Sequence, residues 1–161
     1  MIASICAYAG EQTFERQLRD AKIKQIKFES EVLIEVAKSL PLGRERLSKA
    51  LPYLLSEYGR SIGNKFTIDW QNVPSRVILD YVYGIDTVFQ FRGWNIGVDI
   101  TTNSTDIKFK VNKIKQLQPL WSAIGIEYCA VVLVERTAEQ SLSITQLLRK
   151  VIKGETFISL S

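Results

Sequence analysis

The chain has 161 residues, 46% hydrophobic and 24% charged, which fits one ordinary hydrophobic core. It contains no histidine, so a Ser-His-Asp triad, a Cys-His pair or a histidine-bound metal is excluded, and two cysteines are too few for a structural zinc site. The apolar run Ala130 to Val134 is far short of the roughly 20 residues that span a membrane, and the net charge of +4 leans toward an anionic partner.

Residues 2–9 are apolar with no basic residue ahead of them, and read as a buried segment and not as a secretory leader. Cys6 and Cys129 sit among apolar residues, which predicts buried thiols in a reducing, cytoplasmic setting. Residues 11–24 read as a helix with Phe14, Leu18 and Ala21 on one face, and residues 29–40 as a second with Val32, Leu33, Val36, Ala37 and Leu40 at helical spacing. Pro41-Leu42-Gly43 breaks it. A third helix is expected from about Arg44 to Arg60, carrying Leu47, Leu51, Leu54 and Tyr58, with Pro52 kinking it or moving its start. Lys65 to Trp70 reads as a strand, while Arg76 to Tyr83 fits a strand or a helix.

Asp86 to Phe91 and Ile96 to Thr102 read as two strands around Arg92-Gly93-Trp94-Asn95, a stretch of hairpin composition. Asn103 to Asp106 offers N-caps for a helix to about Ile124, with Ile107, Val111, Ile114, Gln118 and Trp121 as its stripe and Pro119 bending it late. Tyr128 to Val134 has the near-continuous apolar pattern of a strand covered on both faces, and Ser143 caps a last helix, Ile144 to Ile152. The expected fold is a single α/β domain. Its mixed sheet has four or more strands flanked by helices, over about residues 65–152, after an N-terminal helical portion over about 11–60. The helix between Thr102 and Tyr128 is a crossover, so the last strand is expected parallel to the third.

The hairpin carries the chemistry. With Gly93-Trp94 as a two-residue loop, Asp99 falls opposite Val88 and Thr101 opposite Asp86. Alternation then places Asp86, Val88, Gln90, Gly97, Asp99 and Thr101 on one face, and Thr87, Phe89, Phe91, Ile96, Val98 and Ile100 on the other. Any even loop length keeps this sorting. Asp86 and Asp99 would be diagonal neighbours, with Cβ atoms roughly 7–8 Å apart. Two like charges that close are unfavourable unless a cation or hydrogen bonds compensate, and a hard cation such as Mg²⁺ suits them. The alternative is a solvated face. Two basic clusters complete the pattern: residues 16–27, with Arg16, Arg19, Lys22, Lys24 and Lys27 against Asp20, and residues 108–115, with Lys108, Lys110, Lys113 and Lys115 and no acid. They are either solvated helix faces or contacts to a DNA backbone, for which Arg16, Arg19, Lys113 and Lys115 are the candidates.

Tyr83-Gly84-Ile85-Asp86, twelve intervening residues and then Asp99-Ile100-Thr101, followed by a basic helix and a buried strand, resembles the PD-(D/E)XK nuclease superfamily over about residues 65–134. The resemblance implies a restriction-endonuclease-like fold. It also implies a DNA endonuclease that hydrolyses phosphodiester bonds with Mg²⁺ or Mn²⁺ held by Asp86 and Asp99, acting as a dimer or larger homo-oligomer. The sequence departs from the family at Thr101, which stands where the family places its lysine. Some members take that charge from the following helix, where Lys110 or Lys108 is available. Lys110 lies about 60° from Ile107 and about 40° from Ile114 on a helical wheel, so its stem borders the buried stripe and it is the preferred candidate. The family also adds an acid from its first core helix, for which Glu31, Glu35 and Glu57 are candidates. Asp69 and Asp80 are further acids whose orientation the sequence leaves open. Two other readings remain: a non-cleaving nucleic-acid-binding or accessory domain that has lost the lysine, and an interaction protein whose hairpin and Trp94 meet a partner.

Overall fold

The computed structural model describes residues 2–134 and 143–160, with the side chains of residues 2–8 outside that description. The chain forms two compact units, Met1–Ile26 together with Ile85–Ser161, and Lys27–Gly84. The first helix packs on the four-stranded sheet, while the strand near residue 65 lies in the second unit.

In the first unit, helix α1 (Ile2–Asp20) starts well before residue 11. It therefore includes residues 2–9; burial of their side chains as far as residue 8, Cys6 among them, lies outside the described residues. Phe14 and Leu18 of α1 are wholly buried against Phe89, Phe91, Ile96, Val98 and Ile100. These alternate residues belong to β3 (Thr87–Phe91) and β4 (Trp94–Thr101), as a period of two requires. The sheet has the order β3-β4-β5-β6, with β5 at Tyr128–Leu133 and β6 at Phe157–Ser159. Strands β3 and β4 are antiparallel, and β5 runs parallel to both β4 and β6. The crossover expectation holds, while β6, only three residues long, left no period to read.

Both faces of this sheet are covered. Ala130, Val132 and Val134 join the α1 side, where α6 (Ile144–Ile152) adds Ile144, Leu147, Leu148 and Val151. Ser143 starts α6 with a capping box, its hydroxyl accepting from Gln146 N while the Gln146 side chain accepts from Ser143 N. On the other face lies α5 (Ile107–Ala123), which runs through Pro119 and buries Ile114, Leu117, Leu120 and Trp121. Gln118 is exposed, contrary to the expected stripe, because the buried face centres on the Leu117–Trp121 side of the wheel. Gly97 is what lets α5 approach: a Cβ there would stand 3.2 Å from both Trp121 and Ile126. Beyond β3, residues 24–26 lie along its free edge: Gln90 N donates to Lys24 O at 3.0 Å and Ile26 N to Val88 O at 2.8 Å.

The second unit is built on α2 (Ser30–Ser39) and α3 (Pro41–Tyr58), which runs through Pro52. Pro41 opens α3 at a position where its missing N–H costs nothing. Lys65–Ile68 (β2) is indeed a strand, but it pairs with Gly59–Ile62 (β1) in a separate two-stranded ribbon and not with the main sheet. The ambiguous stretch is helical, α4 (Ser75–Ile78) widening into a π-turn at Leu79–Tyr83 that ends on left-handed Gly84. The buried Tyr83 hydroxyl donates to Leu33 O at 2.5 Å, tying that turn to α2. Among the described residues no helix is long and apolar enough to cross a membrane.

The hairpin turns one residue earlier than expected. Phe91 pairs with Trp94, leaving Arg92 (φ 51°) and Gly93 (φ 83°) as the central residues. Two positive φ values define a type I′ turn, which suits the right-handed twist of the strands but strains any residue with a Cβ, as at Arg92. Arg92→Asn is expected to stabilise the protein by about 0.5–1 kcal/mol, the left-handed penalty less the Arg92–Phe91 cation–π contact. Urea denaturation of the two proteins measures it, and a loss of stability would argue against this turn.

Candidate active site

The turn at Arg92-Gly93 shifts the pairing by an even step, so the faces sort as expected while the opposition changes. Thr87 pairs with Val98, and continuing that register by one residue puts Asp86 directly across from Asp99 instead of on a diagonal. Asp86 closes the pairing. Its N–H donates to Val98 O at 3.0 Å, and its Oδ2 accepts from Ile100 N at 2.6 Å, replacing a main-chain acceptor. Asp99 is 3% exposed on the face that α5 covers.

Helix α5 supplies the compensating charge. After β4 the chain turns sharply: Asn103 N donates to Thr101 Oγ1 at 3.1 Å, Thr101 Oγ1 donates to Asn103 O at 3.2 Å, and Asn103 Oδ1 accepts from Thr105 N at 3.0 Å. The helix then returns over the sheet. Lys110 Nζ lies 3.3 Å from Asp99 Oδ1, and Lys113 Nζ lies 2.7 Å from Asp99 Oδ2. Lys110 and Lys113 are three residues apart and so leave the helix on one side. Their side chains are 23% and 25% exposed, with stems buried and ammonium groups within reach of solvent.

The protonation state follows. Burial, then the hydrogen bond to Asp99 and the charge of Asp99 itself, push the Asp86 carboxyl far above the usual carboxylate range, against the opposing pull of the Ile100 N–H. Glu11 on α1 adds a further negative charge acting on Asp86. Burial would raise Asp99 too, but the hydrogen bond to Asp86 and the ammonium groups of Lys113 and Lys110 outweigh it and hold Asp99 below its ordinary value. The pair therefore carries one proton and one negative charge, facing two lysines.

The structure thus brings Asp86, Asp99 and Lys110 together. Lys113, expected on a DNA backbone, has its ammonium in the shorter of the two ion pairs with Asp99, since position 113 sits beside Ile114 at the edge of the buried stripe. Lys108 and Lys115 are exposed on α5, and Arg16 and Arg19 on α1. Thr101 is buried, and its hydroxyl is taken up by the Asn103 turn. Glu31, Glu35 and Glu57 are exposed on α2 and α3, which belong to the Lys27–Gly84 unit. On α1, which packs on the sheet, Glu11 is the acid whose charge acts on Asp86. Asp69 caps the turn at Trp70–Asn72, and Asp80 is exposed in the π-turn of that same unit. Cys129 is a partly buried free thiol, its pKa raised by burial. Reading the sequence missed Glu11, although it falls on the side of α1 that carries Phe14 and Glu15, three and four residues on.

Among the described residues no three carboxylates or cysteines stand close enough to share a metal ion. Two opposed carboxyl groups are nevertheless a donor set suited to a hard dication that keeps several of its waters.

Because Asp86 binds its proton more tightly folded than unfolded, its contribution is greatest below the ordinary carboxyl range and declines as pH rises through the raised pKa. Asp86→Asn mimics the protonated form, so it is expected to stabilise the protein near pH 8 by on the order of 1 kcal/mol and to flatten that decline. Asp99→Asn faces two ammonium groups with a neutral amide and is expected to cost about 1–3 kcal/mol, moderated by the partial exposure of the lysines. Denaturant titrations across pH measure both, and equal effects of the two substitutions would contradict the shared-proton arrangement. No family model, curated protein or solved structure matches this chain.

Proposed function

We propose that the chain is a metal-dependent DNA endonuclease of the PD-(D/E)XK type, built on a restriction-endonuclease-like core. The observation that carries this reading is the acid pair opposed across β3 and β4, with Lys110 and Lys113 of the next helix on Asp99. Element order supports it as well. Helix α1, the edge segment at residues 24–26, β3, β4, α5 and β5 follow one another as a helix, a bridged edge segment, two strands, a helix and a strand. Residues 27–84 are then an insertion between the first and second core strands.

Asp86 and Asp99 would hold Mg²⁺ or Mn²⁺, with Glu11 the nearest additional acid. Such an ion supplies Lewis-acid charge and lowers the pKa of a bound water. The protein's own part is electrostatic. Asp86 and Asp99 would meet such an ion as carboxylates, and Lys113 and Lys110, held beside Asp99, would present positive charge to a scissile phosphate, where groups held in place count most. Lys108, Lys115, Arg16 and Arg19 extend that field for a polyanion. The oligomeric state that suits cleavage of two strands is a dimer or larger.

A second reading draws on Thr101 and the closed Lys113–Asp99 pair at 2.7 Å. In it the network is a settled one in a nucleic-acid-binding domain that does not cleave. Incubation with supercoiled plasmid and Mg²⁺ or Mn²⁺ separates the two. Cleavage that requires the metal and falls by about 100-fold or more in Asp99→Ala, and comparably when Lys110 and Lys113 are both changed to Met, is the expected result. Metal-independent retardation of the plasmid without cleavage would replace the endonuclease with the binding domain.

A further inference from the structure

Phe109 is 72% exposed, the most exposed large apolar side chain among the described residues. A single exposed aromatic is common on protein surfaces, but the surroundings of this one are not ordinary. Helix α5 carries four lysines and no acid from Ile107 to Ala123. Two of them, Lys110 and Lys113, turn inward to Asp99, while Lys108 and Lys115 stay exposed together with Asn112 and Gln116. Phe109 stands four residues before Lys113, so the ring sits on the turn next to the one that sends an ammonium to the acid pair. On its other side runs the outer stripe of Lys108, Asn112 and Lys115. An aromatic face is thus held in water between a lysine of the site and a row of exposed cations.

Resting on the endonuclease reading, we infer that Phe109 stacks on an unpaired base of DNA whose neighbouring phosphate lies at the Asp86–Asp99–Lys113 cluster. The charge pattern fits a polyanion, and the ring fits a π-face of any base, since stacking is indifferent to sequence. In an intact duplex both faces of every base are already covered by neighbours. The preferred substrate class is therefore DNA with an unpaired nucleotide, as in a single strand, a flap or a fork, over continuous duplex.

Because Phe109 is exposed, Ala, Leu and Trp can be placed there with the fold intact. Binding of single-stranded, forked and fully duplex oligonucleotides, measured by fluorescence anisotropy with and without Mg²⁺, is compared across the wild type and these variants. Phe109→Ala is expected to weaken single-stranded and forked binding about tenfold and to leave duplex binding within about twofold. Phe109→Trp retains the affinity, and Phe109→Leu, apolar but without a π-face, does not. A 2-aminopurine at the unpaired position is quenched by the wild type and the Trp variant only. Equal loss on forked and duplex DNA, full rescue by Leu, or no loss at all would overturn the role of Phe109 while leaving plasmid cleavage intact. A wild type that binds no DNA in any form would overturn this inference and the endonuclease reading together.

Discussion

Two carboxyl groups placed face to face on a covered sheet cannot both stay ionised without help, and the arrangement around β3, β4 and α5 is shaped by that constraint. One answer is the proton on Asp86; the other is the pair of lysines that α5 lowers onto Asp99. Each answer depends on a backbone feature some distance away. The opposition exists because the hairpin turns at Arg92-Gly93, and the lysines arrive because the turn beginning at Thr101 sends α5 back across the same face. Gly97 then sets how closely the helix can lie, since any side chain there would meet Trp121. A buried polar network of this kind is weak evidence for stability in itself. Its members would be replaced at low cost by well-packed apolar residues.

Much of the sheet was legible because alternation is a strong signal. Phe89, Phe91, Ile96, Val98 and Ile100 could only be one face, and an even error in turn placement left that sorting intact. The same error hid the direct opposition, since the glycine of Arg92-Gly93 can occupy either central position of a two-residue turn and local sequence does not decide which. Ser143 announced α6 through its cap, and Asn103 announced the start of the next helical stretch in the same way. Strand β6 gave no warning, because three residues cannot display a period.

The site was legible in its acids and in Lys110, but less so in its surroundings. Lys113 lies beside the buried stripe in the same sense as Lys110, yet a run of four lysines on one helix reads first as a solvated face. Glu11 was obscured by chain distance. With 27–84 intervening, nothing local ties α1 to Asp86, and the search for a helix acid went to α2 and α3, which are nearer along the chain and belong to the other unit. Non-local packing decides which helix accompanies a sheet, and propensity carries no trace of it.

The hydrogen bond from Ile26 to Val88 has a consequence for how such a chain can change over time. The point where the chain leaves the sheet and the point where it returns are already neighbours, fixed by strand pairing. What lies between them is topologically a long hairpin loop, and the closure entropy of a loop grows only slowly with its length. Segments of quite different size and composition can therefore occupy 27–84 without rethreading a single strand. The residues that face Asp86 and Asp99 would keep their order in the sheet throughout, so this is a position where a lineage can acquire or exchange a whole module while the acid pair is inherited unchanged.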